Sequence, residues 1–158
     1  MFRVKNLFIL AMLGVCFSGI SAADKEVQDY INDLKAGDEQ KVLEAAKYLG
    51  KEKEKEAIEP IIDAIKFHGL RNVRIALVDA LGRMDEKGRP TSALKELIET
   101  DKDNHVIYTA LLAILNLKDF ENEDAKKALD YCDQNKKDDI FIADAVAKIK
   151  ARMAAENE

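Results

Sequence analysis

Apolar residues recur every three or four positions along most of the chain, which is the spacing of one face of an α-helix. Three such stripes are Val27, Ile31 and Leu34; Leu94, Leu97 and Ile98; and Ile142, Val146, Ile149 and Met153. No stretch shows a sustained alternation of apolar and polar residues, so the pattern predicts no β-sheet. We therefore expect an all-α protein.

Residues that favour helix caps separate the stripes and divide the chain after residue 23 into eight predicted helices. The helices are expected near 24–36, 38–50, 54–67, 71–84, 91–100, 104–117, 122–134 and 138–155. The predicted caps are Asp38, Asn104, Asn122 and Asp138, with Thr91 or Ser92 for the fifth helix. Pro60 requires the third helix either to begin nearer Glu59 or to kink at the proline.

One helical segment occurs three times along the chain. Its copies are 41–50, 73–82 and 107–116, and they end in Leu-Gly, Leu-Gly and Leu-Asn. Gly and Asn both tolerate a left-handed backbone, so we predict that Gly82 is a left-handed C-cap that asparagine can replace. Leu81 is expected in the core. A second amphipathic helix follows each copy, as repeat proteins require.

These copies resemble the short bacterial HEAT-like repeat, also called the PBS-lyase-type repeat. The resemblance rests on Val73-Arg74 and Ala80-Leu81-Gly82 in the middle copy, then a short loop and an Ala-led second helix. It covers about residues 38–135 and implies an α-α superhelix, a short solenoid of about three to four helical hairpins. The second helices would line its concave face, and the terminal helices, 24–36 and 138–155, would be polar on the outside.

Tetratricopeptide repeats are the competing interpretation, because their period is similar. In that family the glycine of the first helix lies about a dozen residues before the alanine of the second. Gly50 precedes Ala57 by seven residues, which favours the HEAT-like interpretation, whereas the interval from Gly82 to Ala93 is less decisive. The HEAT family commonly pairs the arginine at Arg74 with an aspartate near the preceding loop. Residues 68–72 contain none, so we expect an absent ladder or a single rung.

The first 23 residues have the order of a secretory signal peptide. Arg3 and Lys5 precede an apolar run over residues 7–17, and small residues lead to Ala23. The run is shorter than the roughly 20 residues of a membrane span. We predict a signal peptide at 1–23, a repeat domain at 24–158, and a periplasmic or extracellular location. The alternatives are an uncleaved anchor and a lipoprotein tethered at Cys16, although Val15 is larger than that motif prefers.

Charge and residue types argue against several functions. Without residues 1–23 the chain has 23 Lys and Arg against 30 Asp and Glu, with no basic cluster, so we expect no nucleic acid as partner. His68 and His105 are far apart, and no zinc or di-iron motif occurs. Calcium binding at residues 101–104 is an alternative that lacks the full loop. Cys132 is interpreted as a small core residue, with a reactive thiol as the alternative. We expect no catalysis, no cofactor and no metal.

The predicted function is therefore an exported, non-enzymatic scaffold or adaptor that binds a protein partner. The candidate partner-binding residues lie on the outward face of the second helices: Glu59, Asp63, Lys95, Glu99, Lys127 and Asp130. Tyr108, Phe120 and Tyr131 are expected to be partly exposed, and the longer loop 84–91 is a further candidate. The alternatives are a structural subunit of an envelope assembly and an accessory factor of an enzyme system.

The mature protein should begin at Asp24 or Ala23, because Ser21 and Ala23 supply the small side chains that signal peptidase requires. Mass spectrometry of the protein isolated from its native host measures this end directly. A lipid-modified Cys16 as the first residue would contradict the prediction and would place the protein on a membrane surface.

Overall fold

The computed structural model describes residues 25–156. The predicted signal peptide with its cleavage sites, and Cys16 with the lipidation alternative, lie outside the described residues, as do residues 157 and 158. Within the described part, no helix is both long enough and apolar enough to cross a membrane.

Eight α-helices and no strand make up residues 25–156. They are α1 (Val27–Asp33), α2 (Glu39–Glu52), α3 (Ile58–Phe67), α4 (Arg71–Gly82), α5 (Arg89–Thr100), α6 (Asn104–Leu117), α7 (Glu123–Asn135) and α8 (Ile140–Glu156). A short 3-10 turn, Lys55–Ala57, precedes α3. These helices and their stacking confirm the predicted all-α solenoid. The apolar spacing in the sequence located every helix to within a few residues.

The helices stack in two layers, and from α2 onward successive helices of the chain belong alternately to the first and the second layer. The first layer consists of α2, α4, α6 and α8, and the second of α3, α5 and α7, while α1 packs against α2. Each second-layer helix also packs against the first-layer helix that follows it. One continuous core therefore runs from Leu34 to Ile149, and it includes Leu81 as predicted.

Gly50 and Gly82 mark the closest approach between successive first-layer helices. Gly50 lies within α2, Gly82 is the last residue of α4, and neither has a positive φ, so the prediction of a left-handed C-cap at Gly82 is wrong. A Cβ atom on Gly82 would lie 2.6 Å from the Cβ of Ala113, and one on Gly50 would lie 2.8 Å from the Cα of Ala80. The glycines are needed for helix packing, whereas Asn116 is tolerated in α6 because its side chain is exposed.

The left-handed residues that end these segments lie a few positions further along the chain. Lys53 caps α2, Lys118 caps α6, and Asp85 follows α4, with φ values of 58°, 53° and 53°. None of these three residues is a glycine. The repeated Leu-Gly ending therefore does not indicate which residue adopts the left-handed conformation.

Most helix starts agree with the predicted caps or lie one residue away. Asp38 caps α2 and Asn122 caps α7, as predicted. Asp103 rather than Asn104 caps α6, and Asp139 rather than Asp138 accepts hydrogen bonds from the first N–H groups of α8. Pro60 lies in the first turn of α3, where it breaks no helical hydrogen bond.

The last helix lacks the fully polar outer face that was expected of a terminal cap. Ile142, Val146 and Ile149 are buried against the array. However, Ile140 and Phe141 at the start of α8 are 74% and 68% exposed. The prediction fails there because these two residues lie outside the apolar stripe that faces the core.

Replacing Gly82 by alanine should destabilise the protein, even though alanine favours a helix interior by about 1 kcal/mol. The new Cβ would also lie 2.7 Å from the Cα of Ala113, so the backbone of α6 must shift. Overpacking of this kind costs about 1–3 kcal/mol, and we expect a lower urea midpoint. Gly82→Asn should be at least as unfavourable.

Gly69→Ala is the matched control, because nothing lies within 4 Å of its added Cβ. Its urea midpoint should remain that of the wild type. A Gly82→Ala midpoint equal to or above the wild-type value would show that α4 and α6 are not in such close contact.

Candidate functional site

The six residues predicted to bind a partner all lie on helices of the second layer. Glu59 and Asp63 belong to α3, Lys95 and Glu99 to α5, and Lys127 and Asp130 to α7. The two residues of α5 are half-buried and the other four are exposed. Because α3, α5 and α7 are neighbours, these residues form one patch, which we call the second-layer surface.

Ion pairs connect α3 with α5 across the second-layer surface. Arg89 at the start of α5 donates two hydrogen bonds to Glu59, at 2.6 and 2.9 Å. Lys66 of α3 lies 3.2 Å from Glu96 of α5. Exposed pairs of this kind contribute about 0–1 kcal/mol each, so they orient the charges more than they stabilise the fold.

The charges on α5 and α7 are paired in the same way. Lys95 lies 2.8 Å from Glu99, whose hydrogen bond raises the pKa of the lysine. Asp130 lies 3.3 Å from Lys150 of α8, and Lys127 lies 3.9 Å from Asp124. Among residues 25–156, Asp63 is the one member of the predicted set without an ion pair.

Arg74 has an aspartate partner in the loop that follows its repeat rather than in the one that precedes it. Its guanidinium forms an ion pair with Asp101, whose side chain is only 4% exposed. Arg71, one turn earlier, pairs with Asp103. The prediction of an absent ladder or a single rung is confirmed in its second form, since Arg74 and Asp101 make one rung, but the carboxylate comes from the α5–α6 loop and not from the loop before α4. The contacts fix the start of α4 to the start of α6.

The acidic segment 101–104 serves these structural contacts. Asp101 accepts a hydrogen bond from the Asp103 N–H at 2.8 Å, and Asp103 accepts one from the His105 N–H at 3.0 Å. In the part of the chain described, no group of three or more His, Cys, Asp or Glu residues is arranged to hold a metal ion.

The histidines and the cysteine lie in separate places. The Nε2 atom of His68 is 2.7 Å from the carbonyl oxygen of Leu34, and His105 is exposed in the first turn of α6. Cys132 is fully buried in α7, and burial raises the pKa of its thiol to about 11. Its interpretation as a small core residue is confirmed, since a buried protonated thiol is unreactive.

The long loop between α4 and α5 is anchored to the next repeat through the buried Asp119. The carboxylate accepts hydrogen bonds from the Gly88 N–H, the Thr91 hydroxyl and the Asn122 amide, all at 2.8 Å. Thr91 therefore does not cap α5, and neither does Ser92, because the helix begins at Arg89 after Gly88. Burial alone would raise the pKa of Asp119. The three hydrogen bonds stabilise the charged form more strongly, so the pKa of this carboxyl group is lowered below its usual range.

Two of the three aromatic residues predicted at the surface are found there. Tyr108 and Tyr131 are half-buried, and the Tyr131 hydroxyl donates to the carbonyl oxygen of Glu99 at 3.1 Å. Phe120 is only 5% exposed, so its predicted exposure is wrong. The chain turns at the left-handed Lys118 and places Phe120 in the core.

The exposed large apolar residues were not predicted. In residues 25–156 they are Phe67, Leu70, Ile140 and Phe141. All four lie at junctions where a second-layer helix is followed by a first-layer helix. Phe67, Ile140 and Phe141 lie outside the apolar stripes of α3 and α8, which is a sequence signal for their exposure.

A groove of about 440 Å³ crosses the first layer beside α6. Its walls are formed by Ile75 of α4, Tyr108 and Thr109 of α6, and Phe141 of α8, and it is further lined by Asn104, His105 and Asp139. We call it the α6 groove. Its residues come from three helices that are distant in the chain, so periodicity within one helix gives no indication of it.

The sequence of the chain matches a known protein family. A profile of the family described as HEAT repeats matches residues 27–115, which is more than half of the chain and extends from α1 into α6. No curated protein and no solved structure matches the sequence.

Asp119→Asn should lower stability near neutral pH by about 1–3 kcal/mol, because a neutral amide oxygen is a weaker acceptor for the three donors than the charged carboxylate oxygen that they share. Because the pKa of Asp119 is lowered in the folded state, its carboxylate stabilises the fold at pH values above the ordinary aspartate pKa. That contribution is lost as the pH falls below about 4, through the pKa of the folded state. The wild type should therefore lose more stability on acidification than the variant.

Urea unfolding measured over a series of pH values tests this difference. Glu121→Gln is the control, because Glu121 lies in the same loop but is exposed. Parallel acid profiles for the wild type and Asp119→Asn would contradict the assigned role of the buried carboxylate.

Proposed function

This chain belongs to the HEAT repeat family, and from that membership we propose that it is an exported scaffold or adaptor that binds another protein. HEAT repeats commonly mediate protein–protein interaction, because stacked helices offer a long surface of side chains. The observation that carries the proposal is the repeat match over residues 27–115 in an array with one continuous core.

Export is the part of the proposal that rests on the amino-acid sequence of residues 1–23. The basic start, the short apolar run and the small residues before Ala23 are typical of a secretory signal. We accordingly place the protein in the periplasm or outside the cell.

Binding without turnover is supported by how the polar side chains are used. Asp119 anchors a loop, Asp101 holds Arg74, and Asp103 caps a helix. Catalytic groups instead converge on a shared space where a substrate can reach them. We propose that the function is recognition and not chemistry.

The proposed contact face is the second-layer surface. Three of its four carboxylates are paired within the chain, and among residues 25–156 Asp63 has no ion pair, so a partner segment that brings a basic group to Asp63 fits it best. Charges at the edge of an interface mainly steer and select partners, and their effect is screened by salt. The ion pairs with Arg89 and Lys150 hold Glu59 and Asp130 in defined positions for such a contact.

Reversing three of these carboxylates in one variant, Glu59→Lys, Asp63→Lys and Glu99→Lys, should weaken partner capture while leaving the circular dichroism spectrum unchanged. The loss should be greater at low than at high ionic strength, because salt screens the contact. The measurement is the amount of each protein that co-purifies with the tagged variant from its native host, followed by affinities for the main partner.

A second triple variant, Glu44→Lys, Glu52→Lys and Asp79→Lys, gives the same change in net charge on α2 and α4. It should capture the partner like the wild type. Equal losses in both variants would indicate a general charge effect, and unchanged capture by the first variant at low salt would place the binding face elsewhere.

A further inference from the structure

A pocket of about 490 Å³ opens where the ends of α3 and α5 meet the first turn of α4. We call it the α3–α5 pocket. Its charged residues are Lys66 of α3, Arg74 of α4, and Asp101 and Lys102 of the loop after α5. The chain as a whole has a net charge of −5, so three permanent cations with one anion make this lining a local excess of positive charge.

The anion of this lining is less accessible than its cationic partner. The side chain of Asp101 is only 4% exposed, whereas that of Arg74 is 20% exposed. Asp101 uses its oxygens within the chain, because it forms the ion pair with Arg74 and accepts the Asp103 N–H at 2.8 Å. The pair therefore presents its guanidinium to the pocket more than its carboxylate.

Arg74 also has a donor that none of the described residues accepts. Its Nε atom is the one buried side-chain nitrogen or oxygen in residues 25–156 without a hydrogen-bond partner. A buried donor without an acceptor costs free energy, so a shift of the guanidinium toward an acceptor in the pocket is favourable. A planar carboxylate is the acceptor that matches the fork of an arginine.

The ion pairs within the chain leave one positive charge at the pocket. Arg74 is compensated by Asp101, and Lys66 lies 3.2 Å from Glu96. Lys102 is exposed, and in the described part of the chain it has no ion pair. A carboxylate brings one negative charge, whereas a phosphate group brings about 1.5–2 at neutral pH. The excess charge therefore matches a carboxylate.

Apolar side chains line the pocket beside these cations. They belong to the buried Ile65 and the half-buried Leu97. A volume of about 490 Å³ lies within the range of small-ligand sites and is far larger than a carboxylate group alone. The lining thus suits a carboxylate with an apolar stem, which covers Ile65 and Leu97 while its charged end meets the cations.

We propose that the α3–α5 pocket binds a carboxylate carried on an apolar stem, with Arg74 and Lys102 as its cationic contacts. A free aliphatic acid and the C-terminus of a polypeptide that ends in an apolar residue share this chemistry. The proposal does not rest on partner capture by Glu59, Asp63 and Glu99, because none of these residues lines the pocket.

Nuclear magnetic resonance titration of the full coding sequence, purified with the N-terminus that the cell leaves, tests the proposal with hexanoate as the probe. Backbone amide signals of Lys66, Thr100 and Lys102 should shift saturably. Hexan-1-ol and inorganic phosphate should bind more weakly, because the first lacks the charge and the second lacks the stem. Lys102→Glu should raise the dissociation constant of hexanoate at least about tenfold.

Lys137→Glu is the matched control, because Lys137 is also an exposed lysine without an ion pair among residues 25–156, and it lies in the corresponding loop before α8. It makes the same change in net charge and should leave hexanoate binding unchanged. Equal losses in the two variants would overturn the proposal, since they would indicate a general charge effect.

A short neutral peptide that ends in leucine, prepared with a free carboxylate or with a C-terminal amide, distinguishes the two sources. Tighter binding of the free peptide than of hexanoate assigns the pocket to a polypeptide C-terminus, and the reverse assigns it to a small acid. The absence of saturable shifts with both carboxylates, equal binding of the amide or of hexan-1-ol, or tighter binding of phosphate would each overturn the proposal.

Discussion

The contact between a glycine in one first-layer helix and an alanine in the next determines the spacing of the array. Gly50 against Ala80 and Gly82 against Ala113 leave no space for a Cβ atom, so α2, α4 and α6 approach as closely as their backbones allow. That approach brings α3, α5 and α7 together as neighbours. The Arg89–Glu59 and Lys66–Glu96 pairs across the second layer follow from the same spacing.

The fold could be predicted from the sequence because it depends on local periodicity. The stripes located eight helices, and the repeated copies gave their stacking order. Contacts between residues that are far apart in the sequence could not be predicted in this way. At Gly82 a left-handed cap and a close contact between helices both favour glycine, and only the position of Ala113 distinguishes the two. The partner of Arg74, Asp101, lies 27 residues further along the chain, so the loop before α4 gives no indication of it.

For the candidate surfaces too, the sequence predicted which residues are exposed but not which residues contact one another. Helical phase placed Glu59, Asp63 and Lys127 correctly at the surface of the second layer. It gave no information on their ion pairs, whose partners come from other helices or another turn, or on the α6 groove, whose walls come from three helices. The exposure of Phe141 follows from its position within α8, which lies outside the buried stripe.

The two layers thus carry different chemistry. The second-layer surface is charged and its ion pairs are exposed, which suits selective and salt-sensitive recognition. The α6 groove in the first layer is lined by Ile75, Tyr108 and Phe141 together with polar residues such as His105 and Asp139, so its walls mix apolar and polar groups.

Carboxyl footprinting of the protein alone and bound to its co-purified partner tests the central claim most directly, because it reports the solvent access of individual side chains. Recognition through the second-layer surface predicts that Glu59, Asp63 and Asp130 lose most of their labelling in the complex, while Glu44 and Asp79 on the first layer keep theirs. Unchanged labelling of Glu59, Asp63 and Asp130 in a saturated complex would contradict the account.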